Sequence, residues 1–403
     1  MASSDQFPII IMGAGPVGLT LALGLLRQGF AVLVFEQRPA LAIDPRATTI
    51  QPPTMEMLRD LGVLEAVEER SRKVDNLQYW DWSSKQPELL ADVPLAHLES
   101  QTSLPYRLNC AQPHLCEELR DAVEALLPGT INFGTKVTEF TDRGDCVDVE
   151  ITENGRTRTV RGSWLCACDG ANSHTRHVLG LPMRKLTRTD VFFTCEMELD
   201  VDEVFQKHFG VVPGDASWLF TRKGWAMFMR MPASIRLLFL VEKSNAASMT
   251  QDALWEMTRA IFGGDPELAY RNRAVYTVRQ QVAESWRSGR CLILGDAAHA
   301  VFPVSGMAMN CGMHDAFELA RALPDDAAIT IWEKTRRESV HKRVAGHSNS
   351  TYKAINANGI FSRFARNRHL RGLKKHPEAE RDHALRASMM EYKASPPPTI
   401  DPE

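Results

Sequence analysis

The sequence lacks the features that would place it in a membrane, nucleic-acid-binding or metal-binding class. No apolar run reaches the roughly 18–20 residues that a transmembrane helix needs. The 47 Lys and Arg residues are balanced by 50 Asp and Glu, for a formal net charge of −3, which argues against a globally basic nucleic-acid binder. The eight cysteines form no CxxC pair and no Cys/His spacing typical of zinc. We therefore expect no nucleic-acid partner, no transmembrane segment and no metal.

The N-terminal stretch and the overall composition are those of an ordinary globular enzyme. Residues 1–8 carry no basic side chain and no apolar stretch typical of a secretory signal, so a cytoplasmic location is expected. The 403 residues are 44% hydrophobic and 24% charged. That length predicts two or three domains, with enough buried surface to need no disulfide. For the assembly, a monomer and a homodimer both remain open.

A glycine-rich turn follows the first apolar run of the chain. The sequence GAGPVG begins at Gly13, precedes a helix-like stretch, and is followed by a second apolar run that ends at Glu36. Gly13 permits a tight turn, Gly15 the approach of a diphosphate, and Gly18 close packing of the helix on the strand. The helix N-terminus offers N–H groups and partial positive charge to that diphosphate, and Glu36 is placed to accept hydrogen bonds from an adenosine ribose. The pattern predicts a βαβ dinucleotide-binding unit.

Two further motifs lie far along the chain. CDGANSHTR begins at Cys168 after a buried-strand pattern, and GDAAHAVFPVSGMAMNCGMHDA begins at Gly295. Together with the first motif they follow the order GxGxxG, DGxxSxxR and GD…PxxG. In this the chain resembles the single-component (group A) flavoprotein aromatic hydroxylases, the family that includes para-hydroxybenzoate hydroxylase. Residues 46–47 and 53–56 also resemble the branch that acts on phenols and phenylpropionates.

The resemblance implies a monooxygenase that binds FAD. Such an enzyme would take electrons from NADH or NADPH and use O2 to hydroxylate a small phenol-like or heteroaromatic molecule through a flavin C4a-hydroperoxide. No second GxGxxG occurs, so the nicotinamide cofactor would bind transiently rather than in a domain of its own. Two alternatives stay open: a flavin-dependent reductase or dehydrogenase of the same fold, and a flavin-binding protein without catalysis.

The resemblance also assigns cofactor contacts to matching positions. The glycine turn and Glu36 would hold the ADP half of FAD, while Arg46 and Gln112 would contact the diphosphate and ribityl region. Asp169 would support FAD and the passing nicotinamide, and Asp296 would bond the ribityl chain. The expected cofactor-binding set is Gly13, Ala14, Gly15, Pro16, Val17, Gly18, Glu36, Gln37, Arg46, Gln112, Asp169, Gly170, Asp296, Gly306, Met307, Ala308, Met309 and Asn310.

The third motif would wrap the isoalloxazine from Pro303 to Asn310. A helix that begins near Asn310 would aim its N–H groups at the flavin N1–C2=O edge and favour the anionic reduced flavin. The family usually has glycine where this chain has Ala308. The reaction needs no side-chain nucleophile, so the catalytic candidates are only Pro303, which would shape the reacting face, and His299. That histidine is either a proton carrier or a structural hydrogen-bonding residue.

Residues 183–283 have the texture of an antiparallel sheet, which would form the substrate pocket. Strand alternation places Trp218 and Phe220 on one face, and likewise Met227 and Met229 on one face. Such a lining suits a flat apolar ring and excludes water, although the same residues could simply form a core.

Three arginines of this region, Arg222, Arg230 and Arg236, could pair with a substrate carboxylate. A surface position is the commoner role for such residues. No tyrosine falls in the predicted strands, so no group that would deprotonate a phenol can be named there.

The predicted fold is α/β with an interrupted first domain. Residues 1–180 and 284–340 would form a Rossmann-like FAD-binding domain with a parallel sheet, and residues 181–283 a mostly antiparallel substrate domain. Residues 341–403 would form a C-terminal helical segment and tail. Nine Lys and Arg and no acid occur between 341 and 377, which predicts a solvated helical face or, alternatively, a membrane-surface or phosphate-binding role.

Overall fold

The computed structural model describes residues 7–43, 47–198, 200–222, 224–241, 251–264, 270–303, 306–356 and 359–392. The strands are β1 Ile9–Met12, β2 Val32–Glu36, β3 Thr49–Ile50, β4 Arg72–Val74, β5 Asn76–Asp81, β6 Glu88–Pro94, β7 Arg107–Asn109, β8 Ile131–Phe133, β9 Thr135–Asp142, β10 Val147–Glu153, β11 Arg156–Gly162, β12 Trp164–Ala167, β13 Met183–Met197, β14 Ala216–Phe220, β15 Trp225–Arg230, β16 Ile235–Val241, β17 Tyr270–Ala283, β18 Arg287–Ser288, β19 Cys291–Ile293 and β20 His299–Ala300. The helices are α1 Pro16–Leu26, α2 Pro52–Asp60, α3 Leu64–Glu69, α4 Gln112–Leu126, α5 His174–Val178, α6 Val201–Phe209, α7 Gln251–Ile261, α8 Ala308–Ala322, α9 Asp326–Ser339, α10 Ala345–Ile355, α11 Ile360–Leu373 and α12 Pro377–Ala387.

A six-stranded sheet in the order β18-β19-β12-β1-β2-β8 forms the centre of the first layer. All of its pairings are parallel except that of β18 with β19. Its central strands are short apolar runs, as expected where helices or other layers cover both faces. Helix α1 lies between β1 and β2 in the sequence, and it packs against α4 and α8. The predicted Rossmann-like sheet and the α/β fold class are confirmed.

An eight-stranded sheet in the order β20-β17-β13-β16-β15-β14-β5-β6 forms the second layer. It is antiparallel except where β14 runs parallel to β5. Two of its strands, β5 and β6, come from residues 76–94, and β20 comes from residues 299–300. The sheet therefore extends across the expected boundaries at 181 and 284, because its edges are completed by segments that lie far away in sequence. The division of the chain at those boundaries remains a prediction.

The two faces of the eight-stranded sheet pack against different helices. One face buries an aromatic cluster with α6 and α7, around Phe205 and Phe228. The opposite face packs against the helices of the C-terminal segment, which contribute Tyr352, Leu370 and Leu373. Within the described parts of the chain, no helix is both long and apolar enough to cross a membrane.

Candidate active site

The carboxyl ends of four neighbouring strands carry the predicted motifs. Strands β19, β12, β1 and β2 lie side by side in parallel. The residues that follow or end them are Asp296, Asp169, the glycine turn from Gly13, and Glu36. Open α/β sheets bind ligands at the carboxyl ends of their strands, at such a crossover point. The fold thus brings together three stretches that are more than a hundred residues apart.

Close packing at the glycine turn fixes this junction. A Cβ atom on Gly13, where φ is +100°, would lie 2.6 Å from the Cys168 carbonyl oxygen, so the second motif packs directly on the first. A Cβ on Gly18 would lie 2.0 Å from the Gly13 carbonyl oxygen. A Cβ on Gly295 would lie 2.9 Å from a methyl group of Val17, which joins the third motif to helix α1. Glycine is required at each of these positions, because a side chain would prevent the close contact with the neighbouring backbone or side chain.

Gly15 differs from these neighbours, because a Cβ atom built on it would meet nothing within 4 Å. It is the N-cap of α1, and no side chain caps the helix there. The turn therefore leaves space, and a helix N-terminus, where the sequence predicts the diphosphate of FAD. A side chain on Gly15 would enter that space.

The two carboxylates beside the turn fit the same cofactor. Glu36 Oε2 accepts a hydrogen bond of 2.9 Å from the Ala14 amide, and its Oε1 accepts one from the Arg38 amide, which hold the carboxylate against the turn. Asp169 Oδ2 accepts from the Thr175 amide at 3.2 Å, while its buried Oδ1 has no hydrogen-bond partner in the structure. A buried acceptor without a donor needs an explanation, and a ligand that supplies the donor is one. FAD carries ribose and ribityl hydroxyls that can do so.

The third motif is tied to the first domain by Asn310. Its Nδ2 donates to the carbonyl oxygens of Thr49 and Gly306, both at 2.8 Å, and its Oδ1 accepts from the Gln51 amide at 3.0 Å. Asn310 is completely buried. Asn310 thereby ties the first turn of helix α8 to residues 49–51 and to Gly306. Helix α8 begins at Ala308, with no side chain capping its first turn.

His299, within the third motif, belongs to a buried polar network. Its Nε2 is 2.6 Å from Asp315 Oδ2, and its ring stacks on Trp286 at 5.2 Å. Arg336 Nε donates to Asp315 Oδ1 at 2.9 Å, and Arg336 also pairs with Glu318. Burial raises the pKa of the Asp315 carboxyl, but the charges of His299 and Arg336 outweigh it and lower the pKa overall. These contacts give His299 a structural hydrogen bond, and its role in proton transfer remains a prediction.

The same network contains three side chains of the kinds that bind metal ions. His299, Cys311 and Asp315 offer ligand atoms within 4.8 Å of one another. Arg336 Nη2 lies 3.5 Å from Cys311 Sγ and shares the Asp315 carboxylate. The guanidinium therefore supplies the positive charge that a cation would otherwise supply.

The other predicted cofactor residues occupy varied positions. Gln112 Oε1 accepts from the Ala47 amide, while Arg46 itself lies outside the described residues. Gln37 is exposed at the end of β2. The Pro303 carbonyl oxygen accepts from the Gly306 amide at 2.9 Å. The remaining members lie in the turns and helix starts already described: Pro16, Gly170, Met307 and Met309.

The expected pocket-lining side chains do share one face of the eight-stranded sheet. Trp218, Phe220, Met227 and Met229 belong to one buried cluster, which also contains Phe302 from the third motif. The cluster is therefore continuous with the segment predicted to hold the flavin ring. Their contact with a substrate remains a prediction.

The three arginines proposed for a carboxylate already have partners. Arg236 is buried in an ion pair with Glu196 at 2.8 Å, and Arg230 pairs with Asp202. Arg222 is exposed and donates to the Ser83 carbonyl oxygen. Groups of the protein itself therefore contact all three arginines, for which the sequence had left open a substrate carboxylate as partner.

Sequence reasoning missed three polar residues beside the apolar cluster. Tyr79 of β5 stacks on Trp218, with ring centroids 4.9 Å apart, and its hydroxyl lies 2.8 Å from His383 Nε2. Arg107 of β7 is buried next to them. An isolated tyrosine, histidine or arginine carries no local signal. Only the pairing of β5 with β14 places Tyr79 opposite Trp218.

Comparison with known proteins agrees with this geometry. A family described as "FAD binding domain" matches residues 6–327. The chain is 29% identical over 332 residues to 6-methylpretetramide 4-monooxygenase of Streptomyces rimosus, covering 80% of this chain and 56% of that protein. It is 28% identical to para-nitrophenol 4-monooxygenase of Pseudomonas sp. (strain WBC-3), covering 78% and 77%. The chain thus spans only about half the length of the first of these relatives.

Solved structures share the fold. The crystal structure of p-nitrophenol 4-monooxygenase PnpA from Pseudomonas putida DLL-E4 superposes with a TM-score of 0.87 at 23% identity, covering 95% of this chain and 98% of that one. The flavin-dependent monooxygenase PieE, in complex with FAD and substrate, superposes with a TM-score of 0.76 at 22% identity, covering 96% and 72%. Both layers of this chain therefore occur together in solved structures of this fold.

Proposed function

Because the chain belongs to the FAD binding domain family, we propose that it is a monooxygenase that uses NAD(P)H and O2 to hydroxylate a small aromatic molecule. The observation that carries this proposal is the convergence of Gly15, Glu36, Asp169 and Asp296 at four adjacent strand ends, beside a buried apolar face. The relatives named above are monooxygenases of para-nitrophenol and of 6-methylpretetramide.

Each part of the junction has a distinct task in this proposal. The turn at Gly15 would take the diphosphate, and Glu36 the adenosine ribose. Asp169 Oδ1 would accept from a hydroxyl of the cofactor. Asn310 ties the start of α8 to Thr49 and Gly306, and the uncapped end of this helix would present positive dipole charge to the flavin ring. When bound, FAD supplies the transfer of electrons and the activation of oxygen.

The protein's own contribution to the chemistry would be position and dryness. Trp218, Phe220, Met227 and Met229 are each at least 95% buried. An aromatic and thioether surface accommodates a flat ring and keeps water away from reactive oxygen species. His299 would act as a positioning residue, because Asp315 ties it to the Gly295 amide, which lies 3.3 Å from the same carboxylate oxygen.

Oxygen labelling tests the proposal directly. The FAD-loaded protein is incubated with NADH or NADPH, 18O2 and a panel of phenols, aromatic acids and N-heterocycles. We expect at least one compound to stimulate NAD(P)H oxidation and to gain one 18O atom by mass spectrometry. Stimulation without oxygen consumption would favour the reductase alternative. FAD binding without any NAD(P)H oxidation would favour the non-catalytic alternative.

A cytoplasmic location and the choice between monomer and homodimer remain proposals. Cell fractionation tests the first, and light scattering of the FAD-loaded protein tests the second.

A further inference from the structure

Arg107 is a buried cation that has no counterion among the residues that the structure describes. It is 3% exposed in strand β7. One Nη atom donates to the Ala387 carbonyl oxygen and lies 3.5 Å from Ser388 Oγ, and the buried Nε has no hydrogen-bond partner. Among the described residues, no carboxylate lies within ion-pairing distance of it. A buried charge is costly unless an opposite charge or several hydrogen bonds offset its desolvation.

Two more arginines are buried in the described part of the chain, and both have the carboxylate partner that Arg107 lacks. Arg236 is paired with Glu196 at 2.8 Å. Arg336 is paired with both Asp315 and Glu318. The fold therefore supplies acids to its buried guanidinium groups elsewhere, and the missing acid at Arg107 is specific to that position.

The titratable groups around Arg107 are neutral or positive, and Arg386 is the second cation among them. His347 and His383 face it from helices α10 and α12, and burial, together with the charges of Arg386 and Arg107, lowers the pKa of each histidine to about 4. Tyr79 is the remaining neighbour that interacts with Arg107 electrostatically, and burial raises its pKa so that it stays neutral. None of the groups that shift these pKa values is a carboxylate. The cluster attracts an anion from outside the described chain.

The same cluster borders the predicted aromatic pocket. Tyr79 stacks on Trp218 with an interplanar angle of 13°. Trp218 is 4% exposed, and its indole Nε1–H also has no hydrogen-bond partner. Two buried donors without acceptors, one on a cation and one on a ring that faces the apolar cluster, fit a ligand that combines an aromatic ring with an acidic group.

A structural role for Arg107 accounts for only part of this. Helix α12 ends at Ala387, and a cation beside a helix C-terminus interacts favourably with its partial negative charge. That contact uses one Nη atom. It leaves the Nε donor without a partner and most of the positive charge uncompensated. A bound carboxylate, which can accept two N–H bonds from a guanidinium, explains both.

We propose that Arg107 binds the carboxylate of the substrate, and that the substrate is therefore an aromatic acid. The statement that the bound ring is hydroxylated rests on the proposed function. The statement that Arg107 binds an acid does not. Helix α12, which contributes His383 and the partner of Arg107, becomes part of the substrate site. The C-terminal segment would then select the substrate rather than only cover the sheet.

Ligand binding without turnover tests this proposal. The FAD-loaded protein is titrated, in the absence of NAD(P)H, with a series of phenolic acids and with their primary amides, and the change in flavin absorbance is followed. Wild type and R107M are compared. R107K keeps the charge, and R72M removes an exposed arginine of the neighbouring strand, one that has Asp215 as its own counterion. Thermal melting and bound-flavin content of each variant report whether it is folded.

We expect at least one acid to bind tenfold or more tightly than its amide. R107M should abolish that preference while changing amide affinity less than threefold. R107K keeps the charge but not the paired N–H donors, so it should retain only part of the preference, and R72M should retain all of it. A purely structural arginine would weaken acids and amides equally, so equal losses would overturn the proposal. Survival of the preference in R107M, or no binding by any acid or amide, would also overturn it.

Two further parts of the titration distinguish an aromatic acid from a free inorganic or small organic anion. Acetate and inorganic phosphate are titrated alone. If they bind as tightly as the aromatic acids, the site takes a free anion and the substrate assignment is wrong. Labelled oxygen in a neutral phenol, with no acid preference, would leave the monooxygenase proposal standing and overturn this one. A clear acid preference without oxygen incorporation would do the reverse.

Discussion

The Nε2 atom of His299 lies 2.6 Å from Oδ2 of Asp315, and both side chains are almost completely buried. Because Arg336 uses the other oxygen of the same carboxylate, Asp315 neutralises a buried cation and orients a buried imidazole. The network also reaches the Gly295 amide. The motif that carries Asp296 is thus supported from inside the domain.

Replacing Asp315 tests that support. D315N leaves the Arg336 guanidinium buried with a single, less buried carboxylate partner, and we expect it to lower the free energy of unfolding by about 3–5 kcal/mol. Denaturant unfolding measures this. The matched control is D326N, which breaks the exposed ion pair with Arg287 and should cost at most about 1 kcal/mol. Equal effects for the two variants would show that the buried network contributes no special stability.

Two glycines of one turn should behave oppositely. G18A places a methyl group 2.0 Å from the Gly13 carbonyl oxygen, so we expect overpacking to destabilise the apoprotein by about 1–3 kcal/mol or more. G15A meets no atom within 4 Å and should leave apoprotein stability unchanged within about 0.5 kcal/mol. Its methyl group occupies the space predicted for the diphosphate, so FAD affinity should fall at least tenfold. Calorimetry of both variants with and without FAD separates the two effects, and normal FAD affinity in G15A would place the diphosphate elsewhere.

Replacing Asn310 tests the contribution of its side-chain amide, whose nitrogen donates two hydrogen bonds and whose oxygen accepts one. N310A removes three hydrogen bonds, which join Asn310 to Thr49, Gln51 and Gly306. We expect a loss of about 1–3 kcal/mol and weaker FAD binding. N310D loses the two donated bonds and adds a buried negative charge beside two carbonyl oxygens, so it should be worse than N310A. If N310D were the milder change, the amide orientation described here would be wrong.

Acid should destabilise the protein through its buried histidines. Burial and nearby cations lower the pKa of His383 and of His347 to about 4 in the folded protein, against about 6.5 in an unfolded chain. The unfolded state therefore binds more protons between those values, and stability falls as pH drops from about 6.5 to 4. H383Q removes one such site and should flatten this part of a plot of melting temperature against pH. An unchanged slope would mean that His383 is already protonated in the folded protein.

The sequence predicted the flavin-binding half well because its information is local. Gly13, Gly15 and Gly18 encode their geometry in a span of six residues, and Glu36 follows at the end of the next strand. The α/β class and the antiparallel block followed from apolar periodicity. These features need no knowledge of what packs against them.

The substrate side was predicted less completely because it depends on long-range contacts. Tyr79 faces Trp218 only because β5 pairs with β14, across more than a hundred residues. Arg107 lies in a three-residue strand, and nothing nearby in sequence shows that it is buried. Arg222, Arg230 and Arg236, which the sequence did single out for a carboxylate, have counterions or backbone partners that only the packed structure reveals.

The central claim is that the three motifs hold one FAD, and the flavin content of the purified protein tests it most directly. Protein saturated with FAD is passed through gel filtration, and its visible absorbance is compared with its protein concentration. We predict about one FAD per chain for wild type and a large loss for G15A at unchanged apoprotein stability. A colourless wild-type protein that is fully folded would contradict the account.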